Sequence, residues 1–278
     1  NQGLEFDFTG HLLKGKNYYV DLTVNGESFK NKITKMPIDP TTGQQKPLDI
    51  QTYYGWSVGH SIYDFYVPEY IGVDPEDGRS QWTSYYLDKN SNGVLDPKEE
   101  IVSFGSYENP DNLEVLKTST KSYSQATQLY SGKSAIPKLR GSINLRAGYR
   151  NFDFSVQLLY SIGGYAYDAA YAILMGNGTV GGNNWHKDIY QRWQKEGDQT
   201  DVPRISNNAG TDLNVNSKST RFLTKADYIG LNNIRVGYNF ESTKIKMFGL
   251  SDLGIWVSAD NLWYQTARKG FYPSTDEA

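Results

Sequence analysis

Cysteine is absent from the 278 residues, which excludes disulfides and thiol chemistry while placing the chain in no compartment. No run of about eighteen apolar residues occurs, so a transmembrane helix is excluded. A membrane β-barrel is not, because alternation averages each strand to a middling hydropathy, and the mean hydropathy here is -0.62. Charge of one sign is lacking too: 28 Lys and Arg stand against 31 Asp and Glu, which gives no electrostatic argument for a nucleic-acid partner. Histidine is scarce, and His11, His60 and His186 fall on separate segments without metal-pair spacing. There is no phosphate loop, no GxGxxG after a strand, no GxSxG elbow, and no carboxylate pair marked out for glycoside hydrolysis. No enzyme activity is expected. An initiator Met and a signal peptide are also missing, and the start in mid-pattern at Asn1-Gln2-Gly3 reads as a piece of a larger protein.

Aromatics are plentiful, at 14% of residues with 22 Tyr, a supply that interfacial girdles need and that Tyr-rich soluble β proteins share. Residues 137–164 are the most informative stretch. Leu139, Ile143, Leu145, Ala147 and Tyr149 alternate with Arg140, Ser142, Asn144, Arg146 and Arg150, and Phe152, Phe154, Val156, Leu158, Tyr160 and Ile162 alternate with Asp153, Ser155, Gln157 and Ser161. Period two in both halves, joined at Arg150-Asn151 with almost no loop, predicts one hairpin of two long strands sharing an apolar face. Strands of ~5 to 6 residues are the norm in soluble sheets, so this length favours a transmembrane barrel over a β-sandwich. A charge facing lipid costs ~2 to 4 kcal/mol at mid-depth, so alternation sends Arg140, Arg146, Arg150 and the later Arg235 toward a wet lumen.

The pattern recurs along the chain. Leu4 to Thr9 and Tyr18 to Val24 predict a hairpin with a short turn at Lys14-Gly15-Lys16. Residues 26–59 read as a long polar loop and 88–136 as irregular. Between them, Ile62 to Val73 and Gln81 to Leu87 predict strands around the turn Pro75-Glu76-Asp77-Gly78; Pro68 and the short second strand favour an extramembrane hairpin over two wall strands. Residues 163–225 predict two helices, an Ala-rich one over Tyr165 to Met175 and one carrying Trp185, Ile189 and Trp193, capped by Asn183 or Asn184. Alternation resumes over Asn233 to Phe240 with a bulge near Asn232-Asn233, and a final strand spans Leu253 to Ala259. Short turns on one side and long loops on the other make the expected fold class all-β, a transmembrane antiparallel β-barrel with short helices in its extracellular loops.

Two groups of residues stand out as candidate sites. Asp88-Lys-Asn-Ser-Asn-Gly-Val-Leu-Asp-Pro-Lys-Glu99 fits a calcium loop, with side-chain oxygens on Asp88, Asn90, Asn92, Asp96 and Glu99, a turn at Gly93 and the Val94 carbonyl. Only three of the five side chains are carboxylates, and no paired helices flank them, so modest affinity and a structural ion are expected. Trp185, Tyr190, Trp193, Trp263, Tyr264 and Phe271 lie in the two late polar segments, where exposed aromatics stack on sugars or peptide side chains; packing loops together is their plainer role.

Several segments in one order resemble the carboxy-terminal barrel of SusC/RagA-type TonB-dependent outer-membrane transporters. They are Asn1 to Phe6, Ser61 to Tyr66, Gly72 to Gly78, the Asp88 loop, Ile136 to Gly141, Tyr149 to Ser155, Phe222 to Phe240 and Val257 to Trp263. The resemblance implies that residues 1–278 are part of one barrel domain, about the last third of a 22-stranded barrel, without its plug, TonB box and final strand. It further implies import of a glycan or peptide across a Gram-negative outer membrane, with lipid around the wall and TonB acting through the missing amino-terminal part. A SusD-like surface lipoprotein would serve as lid, and SusCD pairs would dimerise. The family has no catalytic residues to carry over, and Asn92 stands where an aspartate is commoner in its calcium-like loop. On the residues alone, a secreted calcium-stabilised β-sandwich that binds carbohydrate stays open, as does a secreted glycan-degrading enzyme.

Overall fold

The computed structural model describes residues 1–102, 113–176, 184–206, 214–246, 249–267 and 270–272. Its first strands are β1 (Gln2–Lys14), β2 (Tyr18–Lys30), β3 (Asp49–Gln51), β4 (Tyr54–Trp56), β5 (Asp64–Pro68), β6 (Tyr70–Val73), β7 (Ser80–Asp88), β8 (Glu114–Thr120) and β9 (Gln128–Ser134). Then come β10 (Leu139–Tyr149), β11 (Phe152–Ile162), β12 (Tyr165–Tyr167), α1 (Ala169–Leu174), β13 (Leu223–Lys225), β14 (Tyr228–Asn239), α2 (Ser242–Ile245) and β15 (Gly254–Thr266). They divide into two compact units: Asn1–Lys30 with Ala135–Ala166 and Lys225–Ala278, and Asn31–Ser134 with Tyr167–Thr224.

The first unit is one open antiparallel sheet in the order β1-β2-β10-β11-β14-β15. Each hairpin pairs chain neighbours, and β2–β10 and β11–β14 pair across the two insertions. Arg150 opens the β10–β11 turn at φ 52, a left-handed position that suits the strand twist in so short a loop. Register then puts every alternating set on a common face. One face carries rows such as Val24–Ile143–Leu158–Leu231 and Leu22–Leu145–Val156–Ile234. At the turn end, Tyr18, Tyr149, Phe152 and Tyr238 form an aromatic row across four strands, with the Phe152 and Tyr238 rings 4.7 Å apart. This face is bare: Phe8 is 67% and Val257 73% exposed. Water does not tolerate so broad an apolar surface on an ordinary soluble domain. The bulge expected at Asn232-Asn233 is present, as a register shift between Leu231 and Asn233.

In the second unit, β3-β4-β5-β9 and β6-β7-β8 make two small sheets, and α1 packs with later residues in a core of Ala172, Met175, Ile189, Val202 and Phe222. Both insertions contribute to the unit, the core coming from the later one. The Pro75–Gly78 turn is gripped by the other insertion: Trp193 lies on Gly78 and donates from Nε1 to the Pro75 carbonyl (3.0 Å), while Arg204 donates to the carbonyls of Gly78 and Asp77 (2.9 Å each).

Several expectations need correction. Residues 88–136 are not simply irregular, because β8 pairs with β7 and β9 with β5. The stretch 26–59 holds the end of β2 and the β3–β4 hairpin. The Ile62 to Leu87 strands stay out of the six-stranded sheet, in line with the preference for a hairpin outside the wall, but the first of them breaks after Pro68 into β5 and β6, which join different sheets. The first helix is shorter, starting after Asp168, whose carboxylate caps it by accepting from the Tyr171 N–H. The second is a 3₁₀ turn, Lys187–Gln191, capped by His186 and stopped by extended backbone at Arg192, so Trp185 and Trp193 lie outside it. Asn184 does not cap it, and Asn183 falls outside the described residues. The last strand runs to Thr266, well past Ala259.

Candidate transport surface

The reverse face of the six-stranded sheet is polar and internally bonded. From Asn25 Oδ1, which accepts from Ser142 Oγ (3.1 Å), a chain of hydrogen bonds runs through Asn144 (2.8 Å) and Gln157 (2.9 Å) to Asn232 (2.7 Å), crossing four strands. The bulge makes its last step possible, since it lets both Asn232 and Asn233 turn inward, where Asn233 donates to Asp260 (2.6 Å). At one end of this face Arg140 pairs with Glu27; nearer the turns His11 is hydrogen-bonded with Asp21 (2.7 Å). Such a surface is satisfied within itself yet presents hydroxyls, amides and charges to whatever lies against it.

The four candidate arginines do not share one setting. Arg140, Arg146 and Arg235 stand on the polar face, in register with Glu27, Asp21 and Ser155 respectively. Arg150 instead occupies the turn, its guanidinium 5.4 Å from the centre of the Tyr149 ring in the aromatic row. The six candidate aromatics are divided as well. In the second unit, Tyr190 is exposed, Trp185 donates to the Gly176 carbonyl (3.1 Å) and Trp193 is committed to the Pro75–Gly78 turn. In the first, Trp263 shares the apolar face with Leu231, while Tyr264 lies on the polar face over Gly230. Phe271 is buried.

The Asp88 loop is drawn in by its own side chains. Asp88 accepts from the N–H groups of Asn92 (3.3 Å) and Gly93 (2.8 Å), Glu99 from those of Lys89 and Asp96 (2.9 Å each), and Asp96 Oδ2 from the amides of Asn90 (2.7 Å) and Asn92 (2.9 Å). Burial works against charge on Asp88, but these N–H groups hold its carboxyl below the usual carboxylate range. Among the described residues no three His, Cys, Asp or Glu side chains gather as a metal cluster would. The donor set is nonetheless oxygen-rich and suits a hard cation, which would take the place of the two amides at Asp96.

No protein-family model matches the chain. It is 24% identical over 283 residues to TonB-dependent receptor P3 of Formosa agariphila, covering 99% of this chain and 25% of the relative. To TonB-dependent receptor P26 of the same organism it is 22% identical over 272 residues, covering 94% and 24%. Among solved structures it aligns with the RagAB peptide transporter at TM-score 0.70 and with the RagAB peptide importer in the open-open state at 0.73; both are 21% identical and cover 98% of this chain and 26% of the other. The resemblance is to SusC/RagA-type TonB-dependent transporters. It extends over almost all of this chain, which spans about a quarter of the length of the relatives it matches. The matched proteins are receptors and transporters, not enzymes, in keeping with the expectation of no enzyme activity.

In this RagA-like sheet, sequence reasoning missed the hydrogen-bonded chain of amides and did not single out Trp256, which is exposed on the polar face with Arg235 stacked on it at 5.1 Å. The signal for Trp256 was available. It alternates with Ile255 and Val257, so register alone puts it beside the arginines.

Proposed function

We propose that the chain is a section of the wall of a closed outer-membrane barrel that imports a peptide or glycan with energy delivered through TonB. The observation carrying this reading is the apolar face with its aromatic row at the turn end, backed by a polar, hydrogen-bonded face: lipid on one side and a wet lumen on the other. Closure at about 22 strands, a plug, a SusD-like lipoprotein lid and dimerised SusCD pairs are part of the same reading, supported by the resemblance alone. RagAB is a peptide transporter, which favours peptide over glycan as the first class to assay. Single-cysteine labelling in outer-membrane vesicles tests the wall: Leu145 and Val156 should resist a water-soluble maleimide, and Ser155 should react. Labelling of Leu145 and Val156 with Ser155 protected would overturn the assignment. A secreted β-sandwich would instead be soluble without detergent.

Calcium is proposed as a structural ligand of the Asp88 loop, favoured by its converging oxygens. Thermal unfolding with calcium and with chelator tests it. Calcium should raise the transition of the second unit, and Glu99→Gln should abolish that rise; no rise in the unsubstituted protein sinks the proposal.

A further inference from the structure

On the polar face, Arg146 of β10 and Arg235 of β14 flank Ser155 of β11 in one register row. Both arginines are exposed, and among the described residues neither forms an ion pair. Two strand spacings set their backbones roughly 10 Å apart, within the combined reach of two arginine side chains meeting above Ser155. Trp256, exposed on the same face, braces the Arg235 guanidinium at 5.1 Å. The neighbouring acids have other partners: Asp21, opposite Arg146, is hydrogen-bonded with His11 at 2.7 Å, Asp260, one row on from Arg235, accepts from Asn233 at 2.6 Å, and Asp153, one row nearer the turn, lies over Gly237. Two like charges side by side repel, and an anion between them reverses the sign of that interaction.

We propose that Arg146, Ser155 and Arg235 form a subsite for a carboxylate of the imported solute. Planar guanidinium groups take a carboxylate through paired N–H donors, and the serine hydroxyl supplies another donor between them. The inference rests on the transport reading, because the carboxylate is that of a solute passing the wet face. A peptide C-terminus, an acidic side chain and a uronic acid all offer the same group.

The complete protein containing this chain, in detergent, is titrated by calorimetry with four probes: a neutral pentapeptide with a free C-terminus, its C-terminal amide, trigalacturonate and its methyl ester. In at least one pair the acid should bind at least roughly tenfold more tightly than its neutral partner. That preference should vanish in R146Q/R235Q, and Arg235→Lys, which keeps the charge but loses the paired donors, should weaken it. The pair that responds identifies the carboxylate's source. Absence of any acid preference in the unsubstituted protein, or its survival in the double variant, overturns the subsite. If the double variant does not fold, Arg235→Lys and Ser155→Ala carry the test. Flotation of the protein with outer-membrane vesicles judges the transport reading separately, whatever the titrations give.

Discussion

Leu145 stands directly opposite Val156 across the β10–β11 pair, while their chain neighbours Asn144 and Gln157, on the other face, share a hydrogen bond of 2.9 Å. Register puts the first pair on the apolar face, which the transport reading sets against lipid, and the second on the polar one. Val156→Arg should therefore cost about 2 to 4 kcal/mol, the range for a charge facing lipid at mid-depth. Thr23→Arg, on the polar face, should cost no more than about 1 kcal/mol, mainly its exposed hydrogen bond with Thr9. Urea unfolding in lipid vesicles measures both, and equal costs would mean that the two faces are misassigned.

Gly141 gives the sheet a closer approach than any side chain allows. A Cβ there would lie 2.1 Å from the Asn25 carbonyl oxygen and 2.8 Å from the Tyr160 hydroxyl, which itself donates to that oxygen. The carbonyl belongs to the paired strand and cannot swing aside. Gly141→Ala should destabilise the fold by about 1 to 3 kcal/mol and speed amide exchange along β2 and β10. Gly10→Ala, whose nearest neighbour would be an ordinary 3.5 Å away, should stay within about 0.5 kcal/mol.

The wall was legible in the sequence because a sheet bare on one face must repeat with period two, and register adds only which residues meet. Even the Asn232-Asn233 bulge showed, as a change of phase. The second unit was far less legible. Strands β8 and β9, of seven residues each, carry no clean alternation of apolar and polar residues, and the Trp185–Trp193 spacing imitates a helix although His186 and Arg192 confine the turn to Lys187–Gln191. The aromatics failed as a site for a related reason: composition marks exposed and packed rings alike, and only tertiary contacts separate Tyr190 from Trp193.

The second unit should weaken in acid. A hydrogen bond from Lys121 holds the Asp74 carboxyl below the usual range, and one from Thr83 does the same for Glu69, aided by Lys117. Both folded pKa values are thus lower than the unfolded ones, so the stabilisation is complete above the unfolded values and is lost as pH falls through the folded ones. Melting temperature should hold steady near neutrality and drop below about pH 4, where free carboxylates titrate. Lys121→Met should lower the neutral value and flatten the acid slope. A slope unchanged by that substitution would show that Asp74 is not the group responsible.

Trp193 tests whether the aromatics of the second unit hold a ligand or hold the unit together. Its ring lies where a Gly78 Cβ would be, 2.4 Å from that position, and Gly78 sits at φ 73, which favours glycine on its own account. Gly78→Ala then carries two penalties, backbone strain of roughly 1 kcal/mol and displacement of the ring. Trp193→Ala should cost about 3 kcal/mol by emptying the space over the turn and losing the bond to the Pro75 carbonyl. In the double variant the ring is already gone, so only the strain remains, and the combined loss should fall short of the sum. Thermal melts of the four proteins give this cycle directly. Additive losses would separate Trp193 from the turn, and full stability in Trp193→Ala with weakened solute binding would return it to the ligand contacts.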